Sequence, residues 1–154
     1  MTPLGHLITA AVVLCVAAAA ISDIRCFEIP DRWSIAIAGL FAAFAIAAAP
    51  VEPWWAHLAA GIIVFAAGAL LFSRGWLGGG DVKLLAACAI WSGFAGLPWL
   101  LLGTAITGGV LALIVVAARH LAGPDPSYPG FREGGPLPYA VAIFGGTATV
   151  VWAL

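Results

Sequence analysis

Long apolar runs separated by short polar stretches make up most of the chain. The first run, Leu4 to Ile21, ends at Ser22-Asp23 and the polar stretch SDIRCFEIPDR. The second, Trp33 to Ala49, stops at Pro50-Val51-Glu52-Pro53, and the third covers Trp54 to Phe72. After SRGWLGGGDVK, residues Val82 to Ala118 are apolar almost throughout. One membrane crossing takes about 20 apolar residues over about 30 Å of hydrocarbon. A single helix over 82–118 would overshoot that thickness by roughly 20 Å at about 1.5 Å per residue. The sequence SGFAGLP, Ser92 to Pro98, supplies a break. It predicts a short fourth helix to Trp91 and a fifth from Trp99 to Ala118. A loop rich in Pro and Gly, Arg119 to Pro136, precedes the sixth run, Leu137 to Leu154. The expected fold is all-α, a polytopic membrane bundle of six transmembrane helices in one domain over residues 1–154.

Composition requires the same solvent. Residues are 64% hydrophobic and 8% charged, against about 25% charged in soluble domains. So much apolar surface cannot be hidden in a soluble fold of this size, so lipid must cover it. With six helices, all the bases (Arg25, Arg32, Arg74, Lys83, Arg119 and Arg132) fall in or beside the first, third or fifth loop. The positive-inside rule then places those loops in the cytoplasm and both termini outside. Trp54, Trp55 and Trp99 at one face, and Trp33 and Trp76 at the other, suit interfacial anchoring. Many Ala and 19 Gly allow close helix contact. No basic residue precedes the first run, so it is expected to be a retained helix and not a cleaved signal. The absence of a basic patch argues against nucleic acid as a partner. Cys15, Cys26 and Cys88 form no paired motif, and neither a disulfide framework nor a zinc site is expected.

Acids are scarce: Asp23, Glu28, Asp31, Glu52, Asp81, Asp125 and Glu133. Asp23 directly follows the first run, and Asp81 directly precedes the fourth after Gly78, Gly79 and Gly80. Both are expected at the edge of the hydrocarbon on one side. A carboxylate there is costly unless it faces a wet or protein-lined space. Two brought close cannot both ionise easily and share a proton, the state that aspartic peptidases use. The glycines would let a substrate backbone approach and permit unusual backbone angles. Bland readings stand beside these. Asp81 alone fits a helix start favoured by the macrodipole, and Asp23 alone fits a loop charge paired with Arg25. Residue physics leaves the two accounts level. The pair on one face is what points to chemistry.

Ser22-Asp23-Ile24-Arg25-Cys26-Phe27-Glu28-Ile29-Pro30-Asp31 resembles the D-x-R-x-x-x-I-P-N segment of the type IV prepilin peptidase family. Gly78-Gly79-Gly80-Asp81-Val82-Lys83-Leu84-Leu85 resembles its G-x-G-D-x-K-L-L segment, and Leu137-Pro138-Tyr139 the start of its last helix. The resemblance implies that Asp23 and Asp81 are the catalytic aspartates. It implies removal of the N-terminal leader of prepilins or pseudopilins at the cytoplasmic face of a bacterial inner membrane, with no cofactor. The cysteine-rich insertion of larger, methylating members is missing, and the size resembles the short members of tight-adherence pilus systems. Asp31 stands where Asn is usual, and Ala140 where Gly is common. Neither departure is expected to touch the aspartate pair.

Gly78, Gly79, Gly80, Arg25 and Lys83 are candidates for binding or orienting substrate. For the two bases, a charge that sets topology is the competing account. Glu28, Asp125 and Glu133 could attract a basic leader, or simply be solvated. Asp31 as a third carboxylate is the lesser reading beside a solvated loop acid. His6, His57 and His120 have no metal-binding spacing, and the serines have no placed His partner. Expected partners are a prepilin-like substrate and the bilayer. Two rivals remain: a small proton- or cation-coupled transporter, which needs more polar residues at mid-membrane depth than Thr104 and Thr107, and a non-catalytic subunit of a pilus or secretion machine, which tolerates Asp→Asn.

Overall fold

The structure is a computed structural model and describes residues 2–48, 53–122 and 135–153. Five helices and no strand occur among the described residues: α1 (Pro3–Cys26), α2 (Asp31–Ala43), α3 (Trp54–Ser73), α4 (Gly79–Ala122) and α5 (Tyr139–Ala153). A π-helical turn, Phe44–Ala48, extends α2. Glu52, Asp125, Arg132 and Glu133 lie outside the described residues.

The ends of these elements follow local chemistry. Thr2 accepts the Gly5 N–H and Pro3 occupies the first helical position of α1, where its missing N–H costs nothing. α1 runs beyond the expected Ile21 to Cys26, so Asp23 sits in the last helical turn and not after it. It stops where Phe27 turns left-handed (φ 54°) and its N–H returns to the Asp23 carbonyl oxygen at 2.8 Å. Pro30 cannot continue a helix backwards, and Asp31 behind it suits the positive first turn of α2.

The expected break between the fourth and fifth helices is corrected in its form. Residues 79–122 form one element with a single non-helical residue, Gly93 (φ 59°, ψ −174°). Helical conformation resumes through Pro98, and the expected seven-residue break is not there. Only glycine takes this conformation readily. One such residue redirects the helix, so no loop is needed. Pro98 is tolerated in the second turn after the break.

α4 is the centre of the bundle. It packs on α5, α3 and α2, while α1 packs on α5 and α2. Val12 and Val16 of α1, Ile37 of α2, Leu84, Cys88 and Leu100 of α4, and Ala140 and Ile143 of α5 meet in one core. Thr104 and Thr107 lie directly against Gly146 and Gly145, so α4 and α5 approach backbone to backbone. Large apolar side chains such as Leu7, Leu14, Ile62, Leu113 and Ile114 face outwards, the reverse of a soluble surface. α1, α3 and residues 79–121 are each long and apolar enough to cross a bilayer. Trp54, Trp55, Trp76 and Trp99 are exposed, as interfacial anchors require. Trp33 differs: it is half-buried against the core, with Arg32 over its ring at 5.0 Å.

Candidate active site

Asp23 and Asp81 are separated in sequence by α2 and α3, yet they face one cleft. Its volume is about 440 Å³, and its walls are Asp23, the turn Phe27–Pro30, and Gly78–Asp81. Both acids are buried, Asp23 at 5% exposure and Asp81 at 8%. They are near enough that the charge of one acts on the other.

Each carboxylate is fixed by a helix N-terminus. Asp81 is the third residue of α4 after Gly78, whose carbonyl oxygen accepts the Val82 N–H at 3.1 Å. The Asp81 carboxylate reaches back and accepts the Gly78 N–H. This is half of a capping box, with glycine in the cap position. Asp23 lies at the C-terminal end of α1, where the helix dipole disfavours a negative charge. The start of α5 offsets this: Asp23 Oδ2 accepts the Ala140 N–H at 2.9 Å, one of the donors that the first turn of a helix leaves free. Asp81 Oδ1 is buried and has no hydrogen-bond partner among the described residues. Two carboxylates in one cleft, one keeping an open oxygen, can hold a shared proton and a reacting water.

The glycines have unequal work. A Cβ on Gly78 would stand 2.6 Å from Asp81 Oδ2, and one on Gly80 would stand 2.9 Å from Ile29 Cβ. On Gly79 it would meet only the Phe72 ring, at an ordinary 3.4 Å. Gly78 therefore makes room for the carboxylate, and Gly80 lets the 27–30 turn close on α4. The turn itself is held by Ser22 Oγ, which donates to the Glu28 carbonyl oxygen at 2.9 Å.

Other expected site residues are placed differently. Arg25 is exposed on α1 and does not line the cleft. Lys83 is exposed too, and pairs with Asp31 at 2.7 Å. Asp31 is thus committed to Lys83 and is not a third carboxylate of the cleft. Glu28, exposed, stands on the cleft wall. The expectation that position 140 does not touch the aspartates is corrected, because its backbone N–H holds Asp23. The Leu137-Pro138-Tyr139 landmark was the signal for it: a proline placed to start a helix implies free N–H groups just beyond. Among the described residues no group of three or more His, Cys, Asp or Glu could hold a metal ion.

The model of the type IV leader peptidase family matches residues 10–113, a stretch that contains both aspartates and the glycines beside Asp81. No curated protein and no solved structure matches the chain.

Proposed function

Because the chain belongs to the type IV leader peptidase family, and so is a peptidase of the membrane, we propose that it is an intramembrane aspartic endopeptidase. Its substrate is a prepilin or pseudopilin, and it removes the N-terminal leader at the cytoplasmic face of the bacterial inner membrane. The observation that carries this reading is the convergence of two buried carboxylates, from α1 and α4, on one cleft.

The pair holds one proton between them. The ionised partner takes a proton from water as the oxygen attacks the peptide carbonyl. The protonated partner donates to the forming oxyanion, and a proton then passes to the leaving amine. No covalent intermediate forms. The backbone donors at Gly78 and Ala140 keep both carboxylates aimed at the cleft.

Counting the two segments of α4 as separate crossings restores six passages. Loops with Arg25, Arg32, Arg74, Lys83 and Arg119 then share the cytoplasmic side with the cleft, and both termini lie outside. A transporter would need a polar path through the bundle. Thr104 and Thr107 instead pack against glycines of α5.

The test is co-expression with a prepilin of tight-adherence type, scored by substrate mobility, for wild type, Asp23→Asn and Asp81→Asn. Asparagine keeps the size but cannot share a proton. Each variant should lose activity by about 10³-fold or more, and the wild-type pH–rate profile should be bell-shaped. Normal processing by either variant would refute the dyad.

A further inference from the structure

The cleft accounts for the cut but not for what holds the substrate's hydrophobic segment. A second concavity, of about 400 Å³, lies between α2 and α3 along α4. Asp31 and Lys83 stand at one end of it, and Ser34 and Ala38 of α2, Phe65 of α3, and Ala86 and Ala87 of α4 line its length. Ile35 and Ile62, at 69% and 68% exposure, form outward-facing rims. Small side chains at positions 38, 86 and 87 leave room for another backbone to come close. Ser34 is buried, at 9% exposure, and its hydroxyl has no partner among the described residues. A buried hydroxyl without a partner is costly in apolar surroundings.

We infer that this groove receives the first two turns of the substrate's own apolar helix, with the Ser34 hydroxyl bonding a polar atom of that helix. This rests on the peptidase reading above. The groove runs from position 31 to 38 on α2 and from 83 to 90 on α4, about 10 Å at about 1.5 Å per residue. It begins where the cleft ends: Pro30 and Asp81 line the cleft, Asp31 and Lys83 the groove. Lys83 lies on another side of the first turn of α4 from Asp81, so the chain leading to the scissile bond crosses the end of that helix. Gly78, Gly79 and Gly80 present no side chain there. About three extended residues cross a helix end about 10 Å wide. A lipid acyl chain is the other apolar occupant, but it offers nothing to Ser34. The neutral Lys83–Asp31 pair also offers little to an anionic headgroup.

The test uses the full chain in phosphatidylcholine vesicles with a synthetic peptide as probe. The peptide carries a basic leader, a glycine and an apolar helix long enough to span. A photo-crosslinking phenylalanine replaces Ile35, Ile62 or, as a control on the second segment of α4, Ile114, in an Asp81→Asn background that preserves the peptide. Adducts with the peptide are expected at 35 and 62 and not at 114. Adducts at 35 and 62 with lipid only, or equal labelling at 114, overturn the proposal. In the cleaving enzyme, Ala38→Phe should raise KM about tenfold or more by filling the groove, with kcat little changed. An unchanged KM overturns the proposal, as does a fall in kcat alone. Ser34→Ala, which adds no bulk, should raise KM in the same direction. Crosslinking at 35 and 62 with no cleavage by wild type would leave the docking site standing and remove the peptidase reading instead.

Discussion

Gly80 and Gly93 mark the two ends of the first segment of α4, and each lets a neighbour reach the helix backbone. At Gly80 the neighbour is Ile29, from the turn that walls the aspartate cleft. At Gly93 it is the His57 ring, whose nearest atom would stand 2.6 Å from an added Cβ. Each end also has a cavity of similar size, about 440 Å³ beside the aspartates and about 460 Å³ beside His57, Phe41 and Trp91. Size therefore does not distinguish them, but the state of the polar atoms does. In the His57 cavity His57 Nδ1 donates to the Ile90 carbonyl oxygen at 2.9 Å, and Ser92 Oγ donates to that of Cys88 at 2.8 Å. His57 is further covered by stacking on Phe41. In the aspartate cleft a buried carboxylate oxygen is without a partner among the described residues. Satisfied polar groups hold a fold together, whereas an open one is where chemistry can be done.

The comparison is tested most severely at Gly80. Gly80→Ala sets a methyl group against the Ile29 side chain and carbonyl, and pushes the cleft wall away from Asp81. A displacement near 1 Å at a reacting centre can cost about 10²-fold in rate. Single-turnover cleavage should fall by that order while the thermal midpoint changes little. Gly78→Ala should act similarly, by displacing the Asp81 carboxylate directly. Gly79→Ala should leave the rate near that of wild type, because its Cβ meets only ordinary contact. Equal losses at all three positions would mean that clearance for a substrate chain crossing the helix end, and not close approach within the fold, makes this segment glycine.

Gly93→Ala should do the opposite. Its backbone conformation is one that side chains rarely adopt, which costs on the order of 1–3 kcal/mol, and the His57 ring must also shift. The thermal midpoint should drop, with cleavage per folded molecule preserved. Loss of cleavage in a variant that stays folded would show that the two ends are coupled through α4.

The helices were readable because apolar runs mark them directly where hydrocarbon forces backbone groups to pair within the segment. Asp23 and Asp81 were legible for the same reason: an acid at the hydrocarbon edge stands out where acids are few. The break in α4 was located but drawn too long, since a proline normally ends a helix and nothing local shows that Gly93 alone redirects the chain. Leu137-Pro138-Tyr139 marked a helix start with free N–H groups, but not that the one at Ala140 would reach Asp23, because a backbone N–H carries no residue identity and its partner is over a hundred positions away. Lys83 looked like a site base from its place beside Asp81, but the helical period turns it to the α2 side, where it meets Asp31.

The smallest expected effect concerns that pair. Asp31 and Lys83 tie the start of α2 to α4 just beyond the Gly80–Ile29 contact, so the pair, and not the packing, could in principle hold the cleft wall. Their side chains are 58% and 47% exposed. Exposed ion pairs contribute about 0–1 kcal/mol and weaken with salt. Asp31→Asn should therefore lower stability by no more than about 1 kcal/mol, by a margin that shrinks as salt rises. It should leave the cleavage rate far above that of Gly80→Ala. If Asp31→Asn instead loses as much activity as Gly80→Ala, and added salt slows wild type to match, the wall is held electrostatically. The contrast between the two glycines would then lose its basis in packing.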